Sequence, residues 1–195
     1  IKDAGEVDVT ANYTIATVSG TLDVDQRALT ITAAADSKVY DGTPLTNNGY
    51  EITAGTLADG HSLDEVTVTG AQTEVGTSAN EADQALITDS GETDVTANYY
   101  ITYLNGELEV THRPLEITAD SDSKTYGETY SFNNNEYTFT AGTSLADGHV
   151  LSLALSSDGA PAGATVGNYD ILIANVVIKD AGEVDVTANY TIATV

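Results

Sequence analysis

Residues 1–18 read IKDAGEVDVTANYTIATV, and the same stretch returns without a change at 178–195. A diverged third copy, ITDSGETDVTANYYITYLNGELEV, begins at Ile87 and matches residues 1–24 at 14 of 24 positions. Self-similarity at a fixed period marks a repeat architecture. From Ile1 to Ile178 is 177 residues, and Ile87 divides that period into units of 86 and 91. The echo extends further. RALTITAAADSKVYDG from Arg27 is answered by RPLEITADSDSKTYGE from Arg113, and YEITAGTLADGHSL from Tyr50 by YTFTAGTSLADGHVL from Tyr137, with Ser144 inserted. TEVGT at 73–77 corresponds to ATVGN at 164–168. The unit is therefore a module of about 90 residues in two related types, long enough for a thin core of its own.

Period-2 alternation predicts strands throughout. Leu29, Ile31 and Ala33 alternate with Thr30 and Thr32, Val66 and Val68 with Thr67 and Thr69, Leu151, Leu153 and Leu155 with Ser152 and Ala154, and Leu108 and Val110 with Glu107 and Glu109. One buried and one wet face suits antiparallel sheets. Turn signals punctuate the strands at Asp41-Gly42, Asn48-Gly49, Asp59-Gly60, Asn105-Gly106, Asp147-Gly148 and Asp158-Gly159. Ser78–Leu86 has capping-box residues at Ser78 and Glu81 but no helical stripe, and reads as an irregular strand. Asp94–Tyr99 reads as a single helical turn capped by Asp94, with the tyrosine anchoring the corner, its ring in the core and its hydroxyl on the backbone. The same role is expected of Tyr13 and Tyr190. The fold class is all-β.

Composition narrows function. Thirty acidic against six basic side chains give a net charge of −24, with no Cys, Met or Trp, 2 Phe and 11 Tyr. Binding nucleic acid needs a Lys/Arg surplus, and so does a polybasic membrane anchor. Without cysteine there is no disulfide, zinc-thiolate site or thiol nucleophile. No run of 18 apolar residues is present, so no membrane insertion is expected.

The phase of the repeat divides the chain into 1–24, the C-terminal segment of a preceding repeat; 25–110, a first module; and 111–195, a second module without its last strand. The identity of the two ends leads us to expect a longer array. Glu107–Val110 would close the first module, and its counterpart SGTLDV at 19–24 stands at the opposite end of the chain from the second. The second module is thus expected to be open-edged, or completed by residues 19–24 of a neighbouring chain. The links 24–27 and 110–114 are short, and Pro114 stiffens the latter. End-to-end stacking with limited bending follows.

SKVYDGTPL at 37–45, LADGH at 57–61 and DVTANYYITYLNGELEV at 94–110 resemble the YDG domain; SKTYGETY at 123–130 and TVGNYDI at 165–171 resemble the MBG domain of the YGX type. Both are repeat modules of large bacterial surface proteins and adhesins. The resemblance covers essentially the whole chain. It implies two tandem Ig-like or β-grasp-like modules in an elongated arrangement, extracellular at the bacterial surface, with neighbouring repeats as partners. Through the MBG label it also implies host glycans or mucin.

Candidate chemistry is sparse. His61 and His149 occupy equivalent Ala-Asp-Gly-His loops, which read as turns whose aspartate accepts backbone N–H groups. No catalytic constellation appears, so no enzyme and no cofactor is expected. Hard oxygen ligands at Asp36, Asp41, Asp120 and Asp122 would suit Ca²⁺, without the loop spacing of a dedicated calcium motif. Lys38 and Lys124 recur after the first strand of each module, and Asn98 and Asn189 before the strand bearing the corner tyrosine. These are the residue types of an isopeptide crosslink; more simply, each lysine is a surface residue paired with one of many nearby carboxylates. Tyr100, Tyr103, Tyr130 and Tyr169 do not recur in every copy, which frees them for glycan contact. The reading is a stalk or spacer repeat of an adhesin, with a carbohydrate-binding module as the alternative.

Overall fold

The computed structural model describes all 195 residues. The first half contains β1 (Arg27–Ala33), β2 (Asp36–Val39), β3 (Tyr50–Gly55), β4 (Ser62–Thr69), β5 (Gly76–Thr88), β6 (Tyr99–Leu104) and β7 (Gly106–Thr111). The second contains β8 (Arg113–Ala119), β9 (Tyr137–Phe139), β10 (Val150–Ser156), β11 (Leu172–Lys179) and β12 (Tyr190–Thr194). The only helical segments are turns of three residues, Thr10–Asn12, Thr96–Asn98 and Thr187–Asn189. The chain is all-β.

The topology is written twice. In the first half β1 lies between antiparallel β3 and parallel β6, and a second sheet runs β2-β7-β5-β4. In the second half β8 lies between antiparallel β9 and parallel β12, and β10 pairs with β11. Register repeats as well: Arg27 stands opposite Tyr99, and Arg113 opposite Tyr190. The sheets are mixed where alternation suggested antiparallel ones. Alternation records which face is buried and is blind to the direction of the neighbouring strand.

Leu29, Ile31 and Ala33 point inward from β1 and meet Val66, Ala82, Ala85, Ile87 and Tyr99 in one core. Ser78–Leu86 lies wholly inside β5, and its irregularity is a left-handed residue, Gln84 (φ 51°), repeated at Asn175 (φ 52°) in β11. The second core holds a surprise. Leu115, Ile117, Leu153, Leu155, Ile178 and Tyr190 share one continuous cluster with Tyr40, Leu45, Leu108 and Val110 from the first half. The two halves are joined through buried apolar surface as well as through the chain.

Three corners take one shape. Asp3, Asp89 and Asp180 each accept the N–H groups two and four residues ahead, which holds Glu6, Glu92 and Glu183 at φ between 60° and 64°. Asp8, Asp94 and Asp185 then cap the turn through the N–H of Thr10, Thr96 and Thr187. Each threonine hydroxyl in turn accepts the N–H of Ile1, Ile87 or Ile178. The first corner keeps this geometry with no sheet packed on it. Its Tyr13 is exposed, contrary to the anchoring role expected from the repeat, because residues 1–24 pair only with themselves, through a Lys2–Asp8 bridge.

Identical sequence in different surroundings yields a prediction. Ile178 is 0% exposed and Ile1 is 54% exposed. Ile178→Ala should cost about 2–5 kcal/mol, and Ile1→Ala should stay within about 0.5 kcal/mol of the parent. Urea unfolding of both variants checks this.

Candidate functional site

The junction between the halves gathers aromatic rings and side-chain hydrogen bonds from both. Tyr40, 1% exposed, sets its ring 5.8 Å from both the His149 and the Tyr190 rings. The Tyr190 hydroxyl accepts the Ala146 N–H at 3.0 Å and meets His149 Nδ1 at 2.8 Å. The tyrosine thus anchors its corner as its residue type suggests. Arg113 donates to Ser144 through its backbone carbonyl (2.7 Å) and hydroxyl (2.9 Å), and to the Tyr40 carbonyl (3.4 Å). Asn189 accepts the Val75 N–H at 2.9 Å and donates to the Glu74 carboxylate. Aromatic packing and a buried amide clasp therefore cross one seam.

Most of these residues have a counterpart one unit earlier. Tyr99 accepts the Ala58 N–H and meets His61 Nδ1 at 2.8 Å, and Arg27 holds Thr56 as Arg113 holds Ser144. In both loops the histidine ring, rather than the aspartate foreseen from Asp59 and Asp147, supplies the side-chain bond. The corner hydroxyl needs a partner beside it, and the histidine reaches it across the turn.

A groove of about 760 Å³ lies in the second half. It is lined by Asp120, Asp122, Lys124, Tyr126, Tyr130 and Tyr169, among others. Tyr130 donates to Asp122 at 2.6 Å and sets its ring 4.9 Å from Phe132. That bond pushes the Tyr130 hydroxyl up to about 12 and holds Asp122 below the usual carboxylate range. Lys124 donates to the carbonyls of Glu128 and Pro161, and Tyr169 bonds to Thr165.

So the structure gathers five of the sequence candidates, Asp120, Asp122, Lys124, Tyr130 and Tyr169, at one groove. The others lie elsewhere. Asp41 binds Lys38 and the Thr43 N–H, which draws its pKa down to about 2. Asp36 accepts from Ser37 and Asn47, Tyr100 is exposed, and Tyr103 packs on the first core with its hydroxyl on the Ala85 N–H. Neither lysine has an asparagine among its hydrogen-bond partners: Asn189 belongs to the junction, and the Asn98 side chain has none. No group of three or more His, Asp or Glu side chains comes together in a way that could hold a metal ion. Tyr126 and Tyr40 were missed as site residues. Their signal was their recurrence in SKVYDG and SKTYGE, with only one of the two buried.

No family model matches the chain, and neither curated proteins nor solved structures show significant similarity to it.

Burial raises the pKa of both Tyr40 and Tyr190 above its ordinary value near 10. A raised folded pKa means that the unfolded chain loses these protons first as pH rises. Their contribution to stability is complete below pH 10 and is lost above it. The thermal midpoint should fall more steeply with pH above 10 in the parent than in Tyr40→Phe, which a pH series of melting curves measures.

Proposed function

We propose that the chain is a structural repeat segment, a spacer of a bacterial surface adhesin, with no chemistry of its own. The observation that carries this reading is the seam at Tyr40. Two units joined only by His112 would be free to pivot, but here the first unit sends Tyr40, Leu45, Leu108 and Val110 into the second unit's core. A junction that buries aromatic rings resists bending, and bending resistance is what a spacer needs. The acidic surface fits too, since like charges keep extended chains apart. No helix is long and apolar enough to cross a membrane.

A glycan-binding reading draws on Tyr126, which is 67% exposed, and on Tyr169 in the same groove. With a charge of −24, attraction of anionic mucin glycans beyond a Debye length of about 8 Å is excluded, so recognition would have to be local.

Small-angle scattering on the dilute chain separates a stiff seam from a loose one. The parent should fit a single rigid shape. Asn189→Ala, which removes the clasp onto Glu74 and Val75, should broaden the distribution of distances within the particle while circular dichroism stays unchanged. A parent that already scatters as a flexible ensemble would end the spacer reading, and specific retention on a mucin-glycan array would put the binding reading in its place.

A further inference from the structure

The groove has a filled counterpart in the first half. There, β7 lies between β5 and β2, pairing Gly76–Asn80 antiparallel and Asp36–Val39 parallel. Transposed by the repeat, those two edges become residues 167–171 and 122–125. Neither is a strand in the second half, and no backbone–backbone hydrogen bond involves 165–171. Both edges line the groove. What is vacant in the second half is a slot for one strand.

We propose that this slot is a strand acceptor and that its occupant is residues 19–24 of a second copy of the chain. Ser19–Val24 corresponds to Asn105–Val110, and it carries the features the slot demands. The inward positions of β7, Leu108 and Val110, are 0% and 1% exposed; Leu22 and Val24 are both 91% exposed and pair with nothing. At Gly106 a Cβ would come within 2.3 Å of the Ala34 carbonyl and 2.6 Å of that of Ala33, so only glycine passes there. The equivalent residue is Gly20, and its equivalent neighbours are Ala119 and Asp120, both on the groove wall. Asp23 would stand between Asn168 and Ser123, as Glu109 stands between Thr77 and Ser37. The register is therefore Gly20 opposite Ile171, Leu22 opposite Tyr169 and Val24 opposite Gly167.

A second set of observations converges on the same occupant. Behind residues 19–24 of the donor come Gln26 and Arg27, as His112 and Arg113 follow β7. Its first half would then meet the acceptor as the second half meets the first. The donor's His61 and Tyr99 would cover Tyr126, and its Asn98 would reach the N–H of Val166 as Asn189 reaches that of Val75. The partnerless Asn98 and the exposed Tyr126 are the two sides of a seam that the molecule builds once already at Asn189 and Tyr40.

The test has two arms. Sedimentation velocity from micromolar to millimolar protein should show open-ended association of the parent. Gly20→Val and Leu22→Asp should each weaken it by at least about tenfold. Both changes should leave the monomer folded, because residues 19–24 are exposed throughout and have no backbone hydrogen bond or strand partner. In the cysteine-free background, Asp23→Cys with Asn168→Cys should oxidise to disulfide-linked multimers, and the off-register pair Asp23→Cys with Leu172→Cys should not. A parent that stays monomeric at millimolar concentration, association untouched by both donor substitutions, or a disulfide closing within one chain would each overturn the proposal. The spacer reading is judged separately, on the scattering of the dilute monomer.

Discussion

Strand β7 satisfies two neighbours at once, and the rest of the molecule depends on that double duty. Its backbone completes the hydrogen bonds of β5 and β2, which would otherwise be unpaired edges. Its side chains Leu108 and Val110 enter the core that belongs to the second half. One extended segment therefore closes the sheet behind it and founds the core ahead of it. His112 alone separates it from β8, so the closing strand of one unit runs almost directly into the opening strand of the next. Only 23 of 195 residues are buried. With cores this thin, apolar area shared across the seam is a large part of what each half has.

Local and tertiary encoding separate cleanly here because the chain contains its own control. The Asp-x-Gly and Asp-Val-Thr hydrogen bonds of the corner form at residues 3–10 with nothing packed on them, and again at 89–96 and 180–187 within folded halves. That geometry is a property of the eighteen residues themselves. The strand after the corner is different. Tyr190–Thr194 forms β12 beside β8, yet the same residues at 13–17 form no strand, because a strand exists only against a partner. The shortening of β11 relative to β5 follows the same rule, since the missing residues are those that face β7 in the first half.

Much of this was legible beforehand. Alternation at Leu29/Ile31/Ala33 and Leu108/Val110 located buried faces correctly, because side-chain direction in a strand is fixed by geometry alone. The anchoring of Tyr99 and Tyr190 was legible from Asp-Val-Thr-Ala-Asn-Tyr, whereas Tyr13 in the same six residues is exposed because burial of the ring needs a packed sheet. Strand direction was not, because parallel pairing of β1 with β6 is decided by contacts about 70 residues apart in sequence. The seam was not legible either. Tyr40 and Tyr126 recur in the related motifs SKVYDG and SKTYGE, and the shared residues do not say which ring will be covered. Their fate depends on whether a unit with His149 and Tyr190 follows. The groove was half legible: the repeat phase exposed a strand without a place and a place without a strand, while the backbone collision that reserves the slot for a glycine required coordinates.

Coupling of this kind has a consequence for how such units hold together. If each core were sealed within its own unit, stability would be a sum of independent terms and a junction would add only a linker. Here a unit's edge strands are complete only when a closing strand fills them, and the ring of its Tyr40-type residue is covered only when another His–Tyr corner docks. Stability then divides into intrinsic and nearest-neighbour terms, and the neighbour term consists of the apolar area and the side-chain hydrogen bonds shared across the seam. In such a chain bending and unfolding are linked. Swinging one unit away at the seam exposes Leu108, Val110 and Tyr40 and breaks the amide clasp at Asn189, so stiffness and cooperativity have a single physical origin.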